Sequence, residues 1–137
     1  MTAEMHIEIK RNQLDDAIRI SKHIPEFSDP YDKEEYLKRI SDNQHLILVA
    51  YHDDIPVGFK IGYEISKGDC FYSWMGGILP SHRRKGVAEK LANYQEQWAA
   101  GQKYKRIRIK TREKHKAMIT FCLNRNFLTV DHIWQEK

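Results

Sequence analysis

The run Leu-Ile-Leu-Val-Ala-Tyr at residues 46–51 is the longest uninterrupted apolar stretch of this chain. Six residues fall far short of the roughly 20 that cross a bilayer, so they make no membrane span. They match a buried strand instead, and the rest of the chain must cover it with apolar surface. Asp53 and Asp54 form a turn, and residues 56–66 return as a long strand. Gly68 and Asp69 turn the chain again into a strand over residues 70–79. Three strands joined by short polar turns predict an antiparallel meander.

The flanking segments carry two different periods. Met5, Ile7 and Ile9 alternate with polar residues, which predicts a first strand over residues 5–10. Leu14, Ala17, Ile18, Ser21 and Ile24 fall at helical spacing. Pro25 and Pro30 break the chain, and Asp32 is placed to cap a second helix with Tyr36, Leu37 and Ile40 on one face. Beyond Pro80, a helix begins with Val87, Ala88, Leu91, Ala92, Gln95, Trp98 and Ala99 on its buried side, and Gly101 reads as its stop. Ile107 and Ile109 alternate with Arg106, Arg108 and Lys110 in a strand over residues 106–111. Residues 117–123 form an apolar helix and residues 127–134 a last strand. The passage from residue 70 to 111 is long enough for a parallel crossover. The expected order is β-α-α-β-β-β-α-β-α-β. The fold class is α/β (α+β), a single mixed, twisted sheet with helices on both faces. No repeat or linker divides the chain, so residues 1–137 are expected to form one domain.

Charge is distributed unevenly. Net charge is +4, yet residues 103–116 hold eight Lys or Arg against one acid, Glu113. Arg83, Arg84 and Lys85 add a second basic cluster, and the remainder is net acidic. Such concentration suggests an anionic ligand or a solvated basic face. Nucleic acid is disfavoured, because the most basic stretch alternates with isoleucine and lacks exposed aromatics. Residues 1–10 hold no apolar segment of signal-peptide length. Cys70 and Cys122 show neither metal spacing nor a disulfide framework. A cytoplasmic location without membrane attachment or bound metal is the expectation. P-loop, dinucleotide, H-E-x-x-H and G-x-S-x-G motifs do not occur.

The chemistry lies in residues 77–88, Gly-Ile-Leu-Pro-Ser-His-Arg-Arg-Lys-Gly-Val-Ala, where a strand gives way to a helix. Free N–H groups and the helix dipole at such a junction make an anion site. Gly86 lets a phosphate oxygen approach the main chain, and Arg83, Arg84 and Lys85 add full charge. A basic loop before an incidental helix is the competing reading.

Arg83-Arg84-Lys85-Gly86-Val87-Ala88 resembles motif A of the GNAT superfamily of acyl-CoA-dependent N-acyltransferases, [QR]-x-x-G-x-[GA]. Ile78-x-Pro80 precedes it at the family's distance, and Val57-Gly58-Phe59 resembles the start of the family's third strand. Residues 117–127 resemble its motif B helix and the strand start that follows. The resemblance spans residues 5–134. It implies that the fourth and fifth strands splay into a V that holds acetyl-CoA. The pantetheine arm would pair with Ile78 and Leu79. The pyrophosphate would sit on the N–H groups of Arg84, Lys85, Gly86, Val87 and Ala88. Gly76 and Gly77 are consistent with a bulge that opens the sheet. His115 falls where many members carry an asparagine near the pantetheine.

The resemblance also exposes departures. The family's strand glutamate corresponds to a position near Tyr72, and its tyrosine acid to Cys122, which reads equally as a buried small hydrophobe. Glu64 and Tyr72 are the candidate base and relay, beside a water chain with no dedicated base. Phe27, Tyr31 and Tyr36 are expected to line the acceptor pocket, with Glu26, Asp29 and Asp32 drawing in a cationic amine. The family's final strand would have only Gln135, Glu136 and Lys137 to form it, which leaves a second copy of the chain as a candidate cover for that sheet edge. Three functions compete at this point. They are N-acetyl transfer from acetyl-CoA to a primary amine, a non-catalytic CoA-binding module, and a nucleic-acid-binding domain.

Overall fold

In a computed structural model, which describes residues 6–111 and 115–127, the apolar run becomes the second strand of a five-stranded sheet. The elements in chain order are β1 (Ile7–Arg11), α1 (Leu14–Ser21), α2 (Lys33–Ile40), β2 (His45–His52), β3 (Ile55–Ser66) and β4 (Cys70–Ile78). They continue with a 3-10 turn (Pro80–His82), α3 (Val87–Gly101), β5 (Arg106–Ile109) and α4 (Lys116–Asn124). Strands lie in the order β1-β2-β3-β4-β5. The first four pair antiparallel, and β5 pairs parallel with β4, as the crossover requires. The last strand expected over residues 127–134, and the edge it would leave, lie outside the described residues apart from Phe127.

Strand β2 is buried on both faces, and that explains its unbroken apolar sequence. Ile47, Val49 and Tyr51 join α1, α2, Phe59 and Ile61 in one core cluster. Leu46, Leu48 and Ala50 join Val57, Phe71 and the α3 residues Val87 and Leu91 in the other. Each buried aliphatic side chain contributes about 1.5–3 kcal/mol, so the two clusters hold the helices against opposite faces. Asp32 caps α2 as expected, its carboxylate accepting from the Glu35 N–H at 3.1 Å.

Two local expectations need correcting. Gly101 is the last residue of α3 rather than its stop, and the residue that turns the chain out of the helix is Lys103, with φ of 68°. The bulge in β4 is not at Gly76 and Gly77, which pair regularly with Lys60 and Phe59. Ile61 pairs with Met75 and Gly62 with Ser73, so the extra residue is Trp74.

Gly62 and Gly101 give opposite tests of the packing. A Cβ at Gly62 would stand 2.7 Å from the Tyr72 carbonyl oxygen and would strike the Phe71 ring. Gly62→Ala is expected to cost about 1–3 kcal/mol. Gly101 has open space around it and a helical backbone, so Gly101→Ala should stabilise by about 0.5 kcal/mol. Chemical denaturation of both variants checks the signs, and a neutral Gly62→Ala would contradict this register.

Candidate active site

The extra residue at Trp74 reorganises the sheet where it matters. Trp74 and Met75 both pack on the α1–α2 side, so the strand's alternation is broken there. Strand β5 follows β4 only from Cys70 to Ser73. From Trp74 to Ile78, among the described residues, β4 has no neighbour on that side. The fourth and fifth strands therefore part, and the open edge leads to the segment singled out by its basic residues.

That segment has the backbone form of an anion cradle. Arg84 and Gly86 take φ of 61° and 84°, two left-handed residues with Lys85 between them. Backbone turned in this way points successive N–H groups into one concavity. Among the described residues, the N–H groups of Arg84 through Glu89 donate to no backbone carbonyl, and α3 begins at Val87 in their midst. Val87 is buried and anchors the helix, Ala88 is half-buried, and Arg84, Lys85 and Gly86 are exposed. A Cβ at Gly86 would meet nothing within 4 Å, so glycine serves there for its backbone angle.

Arg83 and Leu79 have other commitments. The Arg83 guanidinium grips Glu26 through both terminal nitrogens, at 3.0 and 2.7 Å, and its Nε donates to the Ile78 carbonyl at 3.0 Å. The expected role of Arg83 as free charge for a phosphate is corrected to that of a clamp joining the α1–α2 segment to the end of β4. Arg83 also holds the Glu26 carboxyl below its ordinary range. The Leu79 N–H donates to Val57 and its carbonyl accepts from His82, so its main chain is not open to a pantetheine arm. Successive strand residues send their main-chain groups to opposite edges, which turns Ile78 toward the edge that β5 has left.

The two expected acid–base residues are not brought together. Tyr72 stands opposite Tyr63, with ring centroids 5.5 Å apart, on the α1–α2 face. Burial, then Tyr63, pushes its phenol above the ordinary value. The Lys110 ammonium lies 5.4 Å from its ring centre. Glu64 follows Tyr63 in β3 and faces the other way, where it accepts from the Tyr104 hydroxyl at 2.7 Å and from the Gly68 N–H. The expectation that Glu64 reaches the cleft beside Tyr72 is corrected, because the pleat separates adjacent residues.

The face expected to line the acceptor pocket differs from expectation in its charge. Tyr31 stacks on Trp74 at 5.7 Å, and Tyr36 and Tyr63 stand edge-on or tilted around the same indole. The Arg39 guanidinium lies 5.1 Å from the Trp74 ring centre and is held by Glu35. Glu26 is spent on Arg83 and Asp32 on the helix cap. Phe27 packs at the edge of this core, and Asp29 is exposed.

Helix α4 is tied to α3 by Arg125, which grips Glu96 at 2.9 and 3.0 Å. Cys122 is half-buried, its thiol pushed up by burial and 3.9 Å from the Met118 sulfur. His115 stands at the start of α4 but its side chain makes no capping hydrogen bond, and it faces Glu26. Lys60 was missed by sequence reasoning, since nothing in the pattern of β3 distinguishes a polar residue in solvent from one turned under two helices. Among the described residues no group of three or more His, Cys, Asp or Glu is placed to hold a metal, and no helix is long and apolar enough to cross a membrane.

A family model described as Acetyltransferase (GNAT) family matches residues 12–127. Among solved structures, the chain is similar to an aminoglycoside N-acetyltransferase, AAC(6')-Iy, in complex with CoA. The identity is 15%, the TM-score 0.79, and 100% of this chain and 97% of that one are covered. It is similar also to the ribosomal-protein-S18-alanine N-acetyltransferase of Escherichia coli, with 13% identity, a TM-score of 0.81, and 92% and 80% covered. An aminoglycoside acetyltransferase from an uncultured soil metagenomic sample, in complex with sisomicin, shares 16% identity at a TM-score of 0.75, with 96% of each chain covered. At these identities the structural likeness speaks for the fold. No curated protein matches this sequence.

A histidine pair holds the turn before the cradle. His52 Nδ1 and His82 Nε2 lie 2.9 Å apart, and Ser81 Oγ lies 2.8 Å from the other nitrogen of His82. Asp53 stands 3.5 Å from His52 Nε2. One proton fits between the two facing nitrogens and two do not. Burial, His52 and Lys85 together hold the His82 pKa below the ordinary histidine value of 6.5. The unfolded chain therefore binds more protons than the fold just below that value, and stability falls as pH falls. Thermal melts from pH 7.5 to 5.5 should show decreasing stability, and His82→Gln should flatten that decline. An unchanged slope in the variant would exclude the pair as its source. Glu26, whose carboxyl titrates lower, acts only below this window.

Proposed function

The chain belongs to the GNAT acetyltransferase family, and from that premise we propose that it transfers an acetyl group from acetyl-CoA to a primary amine. The observation that carries the reading is the cradle of free N–H groups from Arg84 to Glu89, set at the end of the β4 edge that β5 has left. An anionic diphosphate fits the cradle, and an extended arm can add to the strand edge by main-chain hydrogen bonds.

The amine would approach from the α1–α2 face, past Tyr31, Trp74 and Tyr72, and attack the thioester carbonyl carbon. Holding the two reactants side by side supplies much of the rate. The Ile78 N–H, facing the open edge, is placed to donate to the developing oxyanion. The raised pKa of Tyr72 keeps its hydroxyl protonated, so it relays a proton by accepting one from the amine as it gives its own to water. With Glu26 and Asp32 engaged and Arg39 and Lys110 beside the aromatic wall, the favoured acceptor is a single amine on an apolar or aromatic body rather than a polycation. A CoA-binding module without catalysis is the second reading, favoured by the displacement of Glu64 and by the thiol at Cys122.

Free-thiol release from acetyl-CoA over a panel of aryl-alkyl amines, amino acids, peptide N-termini, polyamines and aminoglycosides decides between these. Release is expected with the aromatic monoamines, at least about tenfold faster in kcat/KM than with the polycations. Binding without release supports the module. Gly86→Asp should weaken acetyl-CoA binding by at least about tenfold, because a carboxylate then faces the diphosphate. Unchanged affinity in a folded Gly86→Asp variant, measured by calorimetric titration, removes the cofactor assignment.

A further inference from the structure

Lys60 occupies a place that the fold alone does not explain. Its neighbours along β3, Phe59 and Ile61, belong to the α1–α2 core, so Lys60 faces α3 and α4. Across the sheet it pairs with Leu48, which is fully buried, and with Gly76. Gly76 carries no side chain, and a Cβ there would lie 3.6 Å from Lys60 Cγ. The lysine stem therefore lies across Gly76, midway along the Trp74–Ile78 edge that β5 has left.

Among the described residues, the titratable and charged groups near it are Cys122 of α4, Arg125 just beyond that helix and Glu96 of α3. Glu96 is already gripped by Arg125. Among the described residues Lys60 makes no salt bridge. A partly buried cation without a counter-charge costs stability. Its placement fits an anion that arises at this edge, and burial holds its pKa below the usual lysine value.

We propose that Lys60 meets the departing CoA sulfur and protonates it, an inference that rests on the acetyl transfer proposed above. The amine nitrogen forms a bond to the carbonyl carbon, the carbon–sulfur bond breaks, and its electron pair goes to sulfur. The Lys60 ammonium gives a proton to that sulfur, leaving CoA as thiol and Lys60 neutral. The proton lost by the amine passes to water, and water returns one to Lys60. No other reactant is needed.

Lys60→Met, Lys60→Arg and Cys122→Ala test this. Lys60→Met should melt higher than the parent protein, since a partly buried cation with no salt bridge among the described residues is removed. It should bind acetyl-CoA within about threefold of wild type. Its turnover should drop at least about a hundredfold, the usual scale for a lost general acid. The alkaline limb of kcat against pH, where Lys60 loses its proton, should vanish with it. Free CoA at pH 9, where part of its thiol is ionised and can pair with the Lys60 ammonium, should bind Lys60→Met about tenfold more weakly, while Lys60→Arg keeps that affinity. Lys60→Arg should not recover turnover, because guanidinium does not give up its proton. Wild-type turnover with an intact alkaline limb in Lys60→Met overturns the proposal. So does loss of both in Cys122→Ala alone, which would make the thiol the donor. If the parent protein binds acetyl-CoA but no amine releases CoA, the transfer reading fails separately. The CoA affinities at pH 9 then decide whether Lys60 meets the sulfur.

Discussion

One extra residue in β4 sets the conditions for everything proposed at the site. A regular strand would continue to alternate and would keep β5 at its side. With Trp74 inserted, two successive side chains pack on the same face and the pairing with β5 ends one residue earlier, at Ser73. A bulge bends and twists its strand, and its neighbour then diverges. The divergence leaves the Trp74–Ile78 edge, points Ile78 into the gap, and sets the aromatic wall on the opposite side of the same strand. The cradle lies where that edge runs out, so the proposed cofactor and acceptor sites both depend on a single irregularity.

The parts of this arrangement written in local patterns were legible in the sequence. The apolar run at residues 46–51 announced a buried strand because no other element accepts six apolar residues in a row at that length. The turns at Asp53-Asp54 and Gly68-Asp69, and the alternation of Ile107 and Ile109, gave the meander and the crossover strand. The strand, proline, basic loop and glycine before Val87 gave the cradle. What escaped depends on parity or on partners far along the chain. A bulge shifted by two residues from Gly76 to Trp74 has almost no local signature. Glu64 was misplaced because its side was inferred without the register. Arg83 was read as free charge because its partner, Glu26, is 57 residues away in the chain. Separation in sequence also hid Lys60, whose surroundings come from β4, α3 and α4.

The Arg83–Glu26 clamp shows how little energy an ordering contact needs. Both side chains are partly exposed, and such pairs are worth about 0–1 kcal/mol. Yet the same guanidinium holds the Ile78 carbonyl, so three segments are registered to one another by a single planar group. Its contribution is geometric, fixing the α1–α2 segment against the end of β4. The histidine pair does similar work on the next turn, joining the end of β2 to the 3-10 turn.

Burial of β2 on both faces has a consequence for how such a chain can diversify. The proposed acceptor side and the proposed cofactor side are separated by a partition one strand thick, and that partition has no solvent-facing position between Leu46 and Tyr51. Close-packed interiors transmit strain rather than absorb it. A bulkier residue set into the acceptor side at Val49 or Ile47 displaces the backbone that carries Leu48, and Leu48 lies beneath the cofactor side. Changes of acceptor taste are thus confined to α1, α2 and the face of β4, where a side chain can grow without moving the wall.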